Sequence, residues 1–243
     1  MQDTYSGRTS GYSRRAVLRQ IGASGVSAAL FQLGGVKHAF AQLDDRPWSY
    51  LRDVEARWLA AACDTLIPED DYPSATQAGV VDFIDFQLAT DYGRGARLYM
   101  QGPHDLGTPD QGYQLAFPPQ MLFRRAIETL STNAPSLSDL DVEGRLTAMQ
   151  DLSERDDMLT DDIPTATFFN ELLNLTNQGY FADPMYLGNH DYAGWRMVGF
   201  PGAHAYYMHS VDDHNRPYPA PPMGVAHQPG AGSSPPRAIS AKR

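Results

Sequence analysis

The chain of 243 residues holds a single cysteine, Cys63. One thiol cannot build a cysteine zinc site, an iron–sulfur cluster or a disulfide within the chain. Basic residues are sparse, with 19 Lys and Arg against 29 Asp and Glu and a formal net charge of −10. No large basic patch forms, so nucleic acid is not an expected partner. Beyond the first 41 residues, no apolar run approaches the ~20 residues that a membrane-crossing helix needs. Cofactor signatures are missing as well. There is no phosphate-binding P-loop and no Cys-x-x-Cys-His haem attachment. Gly93-Arg94-Gly95-Ala96-Arg97-Leu98 lacks the third glycine of a dinucleotide fingerprint and follows a helix-like run rather than a strand. No Gly-x-Ser-x-Gly elbow and no His-Glu-x-x-His pair is present either, nor is there an internal repeat or a strong strand pair. The chain itself is therefore expected to carry no cofactor and no catalytic residues.

What is present begins with a leader. Arg8, Arg14, Arg15 and Arg19 lie in a polar stretch, and Ser13-Arg14-Arg15-Ala16-Val17-Leu18 resembles the twin-arginine export motif. A mildly apolar, Gly/Ala/Ser-rich run follows from Ile21 to Val36. Ala39-Phe40-Ala41 then supplies a small-x-small cleavage site. Residues 1–41 thus read as a signal peptide directing the chain to the periplasm. They take five of the basic and one of the acidic residues, leaving 14 against 28 and a net of −14 in the mature chain. The twin-arginine route moves folded proteins, commonly loaded with a cofactor. A chain on that route with no cofactor motif suggests that a partner carries one.

Residues 42–216 read as one mostly α-helical domain of about five helices with long, irregular, aromatic-rich loops. Residues 217–243 read as an extended Pro-rich arm. The first helix is predicted over Trp48 to Ile67, capped by Ser49 and stopped by Pro68, with Leu51, Val54, Trp58, Leu59, Ala62 and Leu66 at helical spacing. Cys63 lies beside that stripe, either as a small buried residue or as one half of an inter-subunit disulfide. A second helix is predicted over Thr76 to Thr90, with Asp82 and Asp85 near its solvent side. Tyr92 to Pro118 is a long loop whose aromatics argue against disorder. A third helix starts at Pro119 and runs to about Ser131, with Met121, Leu122, Ile127 and Leu130 on its buried face. Ser138 is the expected cap of a fourth, with Asp141 three residues on. Asp156, Asp157, Asp161 and Asp162 read as a solvated acidic loop, and a fifth helix spans Thr165 to Asn177.

The stretch from Gly179 to Gly202 follows neither a helical nor a strand period. Five glycines and two prolines interrupt it, yet it is dense in Tyr, Phe, Trp, Met and Leu. Such a segment buries its aromatics on its own helices or on another protein, and aromatics, Met and Arg are the residues enriched at interface cores. Tyr180, Phe181, Tyr186, Trp195, Arg196, Phe200, Tyr206 and Tyr207 are therefore the candidate partner-binding residues. A competing reading is a metal-dependent periplasmic enzyme built on His190, Asp191, His204, His209, Asp212, Asp213 and His214. A third is a binding partner of some other exported protein.

Leu59 to Pro68, continuing into Ala78-Gly79-Val80-Val81-Asp82-Phe83-Ile84-Asp85, is similar to the N-terminal block of the gluconate 2-dehydrogenase subunit 3 family. Gly179-Tyr180-Phe181, Gly194-Trp195-Arg196-Met197-Val198-Gly199-Phe200-Pro201-Gly202-Ala203 and Asn215 to Pro222 resemble its C-terminal block. The resemblance implies a small, non-catalytic subunit of a heterotrimeric periplasmic dehydrogenase at the inner membrane. Its large subunit would be an FAD-binding oxidoreductase acting on an alcohol group of a sugar, polyol or sugar acid. A cytochrome c subunit would pass on the electrons. The small subunit would support folding of the large one and its passage through the twin-arginine machinery.

Overall fold

A computed structural model describes residues 43, 47–105, 107, 111–204, 212, 218 and 220–225. The leader residues Arg14, Arg15, Ala39 and Ala41 lie outside this set, as do Tyr206 and Tyr207.

The helix α1, Asp53–Leu66, is the hub. Around it pack α2 (Val80–Ala89), α3 (Pro119–Asn133), α4 (Val142–Glu154) and α5 (Thr165–Phe181), each in direct contact with α1. The composition of α1 explains this. Ala60, Ala61, Ala62 and Cys63 are all fully buried, so small side chains on every face let four neighbours close in. Trp58, Phe123 and Phe168 fill the space between α1, α3 and α5, with Phe168 rings 5.9 Å from Trp58 and 5.6 Å from Phe123. Burying such aromatics contributes on the order of 2–3 kcal/mol each. The mostly α architecture expected from the sequence is the one observed.

The boundaries differ in instructive ways. Asp85 is buried in α2 rather than turned to solvent. Its carboxylate accepts the backbone N–H groups of Ser49, Tyr50 and Leu51 at 2.8, 2.9 and 2.9 Å. Those bonds hold residues 49–51 out of the helix, so α1 starts later than its apolar spacing predicts and is capped at Arg52, not Ser49. Glu55, also buried, accepts from the Arg52 backbone at 2.8 Å and from Arg124 Nε at 3.0 Å. Burial alone would raise its pKa. The hydrogen bonds from Arg52 and Arg124 outweigh that, and the carboxyl is held below its usual range. Arg124 also donates to the Tyr50 carbonyl at 2.8 Å, tying α3 to the start of α1.

Pro119 opens α3 as predicted, although Met121 points outward and Phe123 takes its place inside. The cap of α4 is Asp141, which accepts from the Gly144 N–H at 2.8 Å, while Ser138 falls in a separate short turn, Leu137–Asp139. A two-stranded antiparallel pair, β1 (Met158–Thr160) and β2 (Ile163–Pro164), was not expected from the sequence. It organises the acidic loop. Asp157 is bound by Arg155 and Thr165, and Asp162 by Arg125 at 2.6 and 2.9 Å. The long 92–118 loop lies on the core through Leu115 and Phe117. Its Tyr92 hydroxyl donates to Glu171 of α5 at 2.7 Å.

Candidate functional site

The last turn of α5 runs through Gly179, Tyr180 and Phe181, four residues past its predicted end. Gly179 lies within the helix, and the Phe83 ring of α2 occupies the space a side chain there would need. Tyr180 is buried and donates its hydroxyl to the Pro73 carbonyl at 2.7 Å. Burial, with Asp70 and Tyr72 nearby, pushes its pKa up to about 12.

Beyond α5 the chain makes two single-turn 3-10 helices, Pro184–Tyr186 and His190–Tyr192, then a short helix α6, Ala193–Val198. Four non-glycine residues here have left-handed backbones: Leu187 at φ 72°, Asn189 at 51°, Asp191 at 53° and Tyr192 at 56°. Each such residue costs ~1 kcal/mol or more and persists only when its surroundings over-determine it. Asn189 does much of that. Fully buried, it donates to the Ala182 carbonyl at 2.8 Å and accepts from the Gly194 N–H at 2.9 Å. The His190 N–H donates to the Ala78 carbonyl at 2.9 Å, and its ring rests on Gly79. Close approach completes the fit. A Cβ on Gly188 would run into the Gly179 carbonyl, and one on Gly194 into the Tyr180 carbonyl. Gly188 and Gly194, which look like breakers in the sequence, are where this segment lies directly on the end of α5.

Trp195 is 6% exposed. Its indole N–H donates to the Phe181 carbonyl at 2.7 Å, and its ring stacks on Tyr192 at 5.4 Å and meets Phe200 edge-on at 5.1 Å. Trp195 and Tyr180, predicted as partner contacts, are instead fixed by their own chain. The backbone around them needs internal partners, and these two side chains supply them. The outward face belongs to their neighbours. Phe181, Met185, Tyr186 and Leu187 before Trp195, and Met197, Val198 and Phe200 after it, are between 37% and 59% exposed. Arg196 is exposed among them. Beside Phe181 and Tyr186 opens a groove of about 620 Å³, with Phe83 at its side and the side-chain amides of Gln87, Asn177 and Gln178 along it.

Cys63 has no exposed surface, and its Sγ lies 3.4 Å from Thr176 Oγ1. Burial pushes the thiol up to about 12. A disulfide to another subunit would require α1 and α5 to separate, so the buried alternative is the one that fits. The described members of the His/Asp cluster do not come together as a metal site. His190 sits on Gly79, whereas His204 lies 5.0 Å from the Tyr218 ring with its Nε2 3.3 Å from the Pro221 carbonyl. His209, Asp213 and His214 lie outside the described residues. Among the described residues no three His, Cys, Asp or Glu side chains group to hold a metal, and no helix is long and apolar enough to cross a membrane.

The sequence reading missed Asn189 and Asp183. Asp183 caps the first 3-10 turn, accepting from the Met185 N–H at 3.0 Å. The Asp183-Pro184 pair was a legible turn signal. Asn189 carried none, since its role depends on where α5 ends.

A family model described as gluconate 2-dehydrogenase subunit 3 matches residues 53–202, well over half of the chain. The chain belongs to the gluconate 2-dehydrogenase subunit 3 family. The match runs from the first residue of α1 to Gly202, so it takes in the five-helix body and the whole aromatic segment. No curated protein and no solved structure matches the chain. The family's description is of a dehydrogenase subunit, which implies association with other dehydrogenase subunits.

Proposed function

We propose that this subunit 3 family member is the small, non-catalytic partner of a periplasmic FAD-dependent dehydrogenase, and that the face formed by residues 181–200 docks its large subunit. In this reading the large subunit holds the flavin and oxidises an alcohol group of a sugar, polyol or sugar acid. A cytochrome c subunit accepts the electrons and joins the complex to the inner membrane. The small subunit supports folding of the flavoprotein and supplies the twin-arginine signal for both.

The observation that carries the docking face is the division of labour within the segment. Trp195, Tyr180 and Asn189 fix the backbone, while Phe181, Tyr186, Val198 and Phe200 are left outward on it. Large apolar side chains held on a preset backbone lose little freedom on binding, which favours affinity. A run of them on one segment marks an interaction surface more readily than scattered exposed residues do.

The test is capture of the large subunit in the native host by wild type and by a Phe181→Ser, Tyr186→Ser, Phe200→Ser variant. We expect the variant to lose ~30-fold or more in capture, the effect of removing at least ~2 kcal/mol of interface contacts. A Met185→Ser, Val198→Ser variant, which leaves the rings packed on Trp195 and Tyr180 in place, should melt close to wild type and still lose capture. Full-strength capture by a folded variant would remove this face from the account.

A further inference from the structure

After His204 the described chain resumes at short pieces, of which residues 220–225 return to the aromatic segment and its end and bond there through Met223, Gly224 and Val225. Gly202 and Met223 form a parallel bridge. The Met223 N–H donates to the Pro201 carbonyl at 3.2 Å, and the Ala203 N–H to the Met223 carbonyl at 2.7 Å. The Gly224 N–H donates to the Tyr192 hydroxyl at 3.1 Å, and the Val225 N–H to Asp183 Oδ2 at 2.6 Å. Two glycines make room. A Cβ on Gly202 would run into the Met223 carbonyl, and one on Gly224 would come within 2.9 Å of Asp183 Oδ1.

We propose that residues 220–225 are a releasable clasp, latched by Asp183 and Tyr192, that locks the 187–202 segment into its bound-up shape. The segment needs such a lock. Its φ angles are strained at four non-glycine positions, and α6 has only six residues, too few to hold together alone. The clasp grips it at both ends. Asp183 lies just before the strained run, Pro201 to Ala203 lie just after α6, and Tyr192 sits between them against Trp195. The hold is also light. Its hydrogen bonds fall on exposed Val225, half-buried Met223 and the backbone of Gly224, with His204 Nε2 also 3.3 Å from the Pro221 carbonyl, and no helix encloses them, so it opens at far smaller cost than the helical body. Asp183 serves both jobs with separate oxygens: Oδ1 takes the Met185 N–H of the 3-10 turn, and Oδ2 takes the Val225 N–H of the clasp.

That separation gives a selective variant. In Asp183→Asn one acceptor oxygen remains for the Met185 N–H, while the amide nitrogen now faces the Val225 N–H donor to donor. Hydrogen exchange of the full chain, without any partner, reads the result directly. Asp183→Asn should leave α1 to α5 protected as in wild type and speed exchange in peptides covering 187–203 and 223–225 about tenfold, the effect of one charge-assisted hydrogen bond. Tyr192→Phe, which removes only the acceptor for the Gly224 N–H, should act in the same places, and the double variant should exceed either. Unchanged exchange in both single variants and in the double would overturn the clasp, as would faster exchange spread evenly over all helices. Because no partner is present, the outcome is independent of whether the 181–200 face docks a large subunit.

Discussion

At the scale of single residues, Trp195 shows how an aromatic in an irregular segment divides its work. Its ring is spent on Tyr192 and Phe200, and its one polar atom on the Phe181 carbonyl at the end of α5. Truncating it leaves a cavity and an unpaired carbonyl, so Trp195→Ala should cost ~3 kcal/mol. For a chain of this size that lowers the melting temperature by roughly 6–12 °C. Trp195→Phe, which keeps a ring and loses the hydrogen bond, should fall between the two in thermal melts. Equal melting of Trp195→Ala and wild type would mean that the indole is not part of the folding unit. The sequence showed that Trp195 must be held by something. It could not show by what, because the nearest partner, the Phe181 carbonyl, becomes available only where α5 stops.

At the scale of elements, the five helices were legible from apolar spacing and from Pro119, while the start of α1 was set by a side chain from elsewhere in the chain. Asp85 is the plainest case. Spacing places it beside Asp82 on an outer face, yet three backbone N–H groups thirty-odd residues away converge on it. The short β pair escaped because its strands have three and two residues, too few to show alternation. The joint between α1 and α3 carries a pH dependence. Glu55 is held below its ordinary 4.5 in the fold, so the native state favours its ionised form more than the unfolded chain does. That stability is fully present above the ordinary value and is lost as pH falls through the folded one. Wild type should therefore lose more stability than Glu55→Gln as pH falls below 4.5. Denaturant melts across that range check it, and parallel curves for the two proteins would count against the joint.

At the scale of the whole molecule, the body and the leader make separate contributions. The body offers a preset apolar face. In the proposed reading, the leader, with Arg14 and Arg15 at its centre, is an address that a folded flavoprotein partner would share. Arg14→Lys together with Arg15→Lys should strand both this chain and the large subunit in the cytoplasm, read as loss of dehydrogenase activity from the periplasmic fraction. Normal periplasmic activity in that double variant would show that the large subunit travels by its own means. In the same reading, removal of the leader would leave a net charge of −14, which adds solubility to a protein that carries so many outward apolar side chains.

The parallel bridge between Gly202 and Met223 falls on the last residue that the family model matches. The clasp thus closes on the end of the matched region with a segment that lies beyond it. A relative that kept this loop but went a different way after that glycine would have to secure it with other material, its own or a companion's. The 220–225 piece is in that sense a removable fitting. Grafted onto such a relative after an equivalent glycine, it offers a way to stiffen one loop without altering the helices beneath.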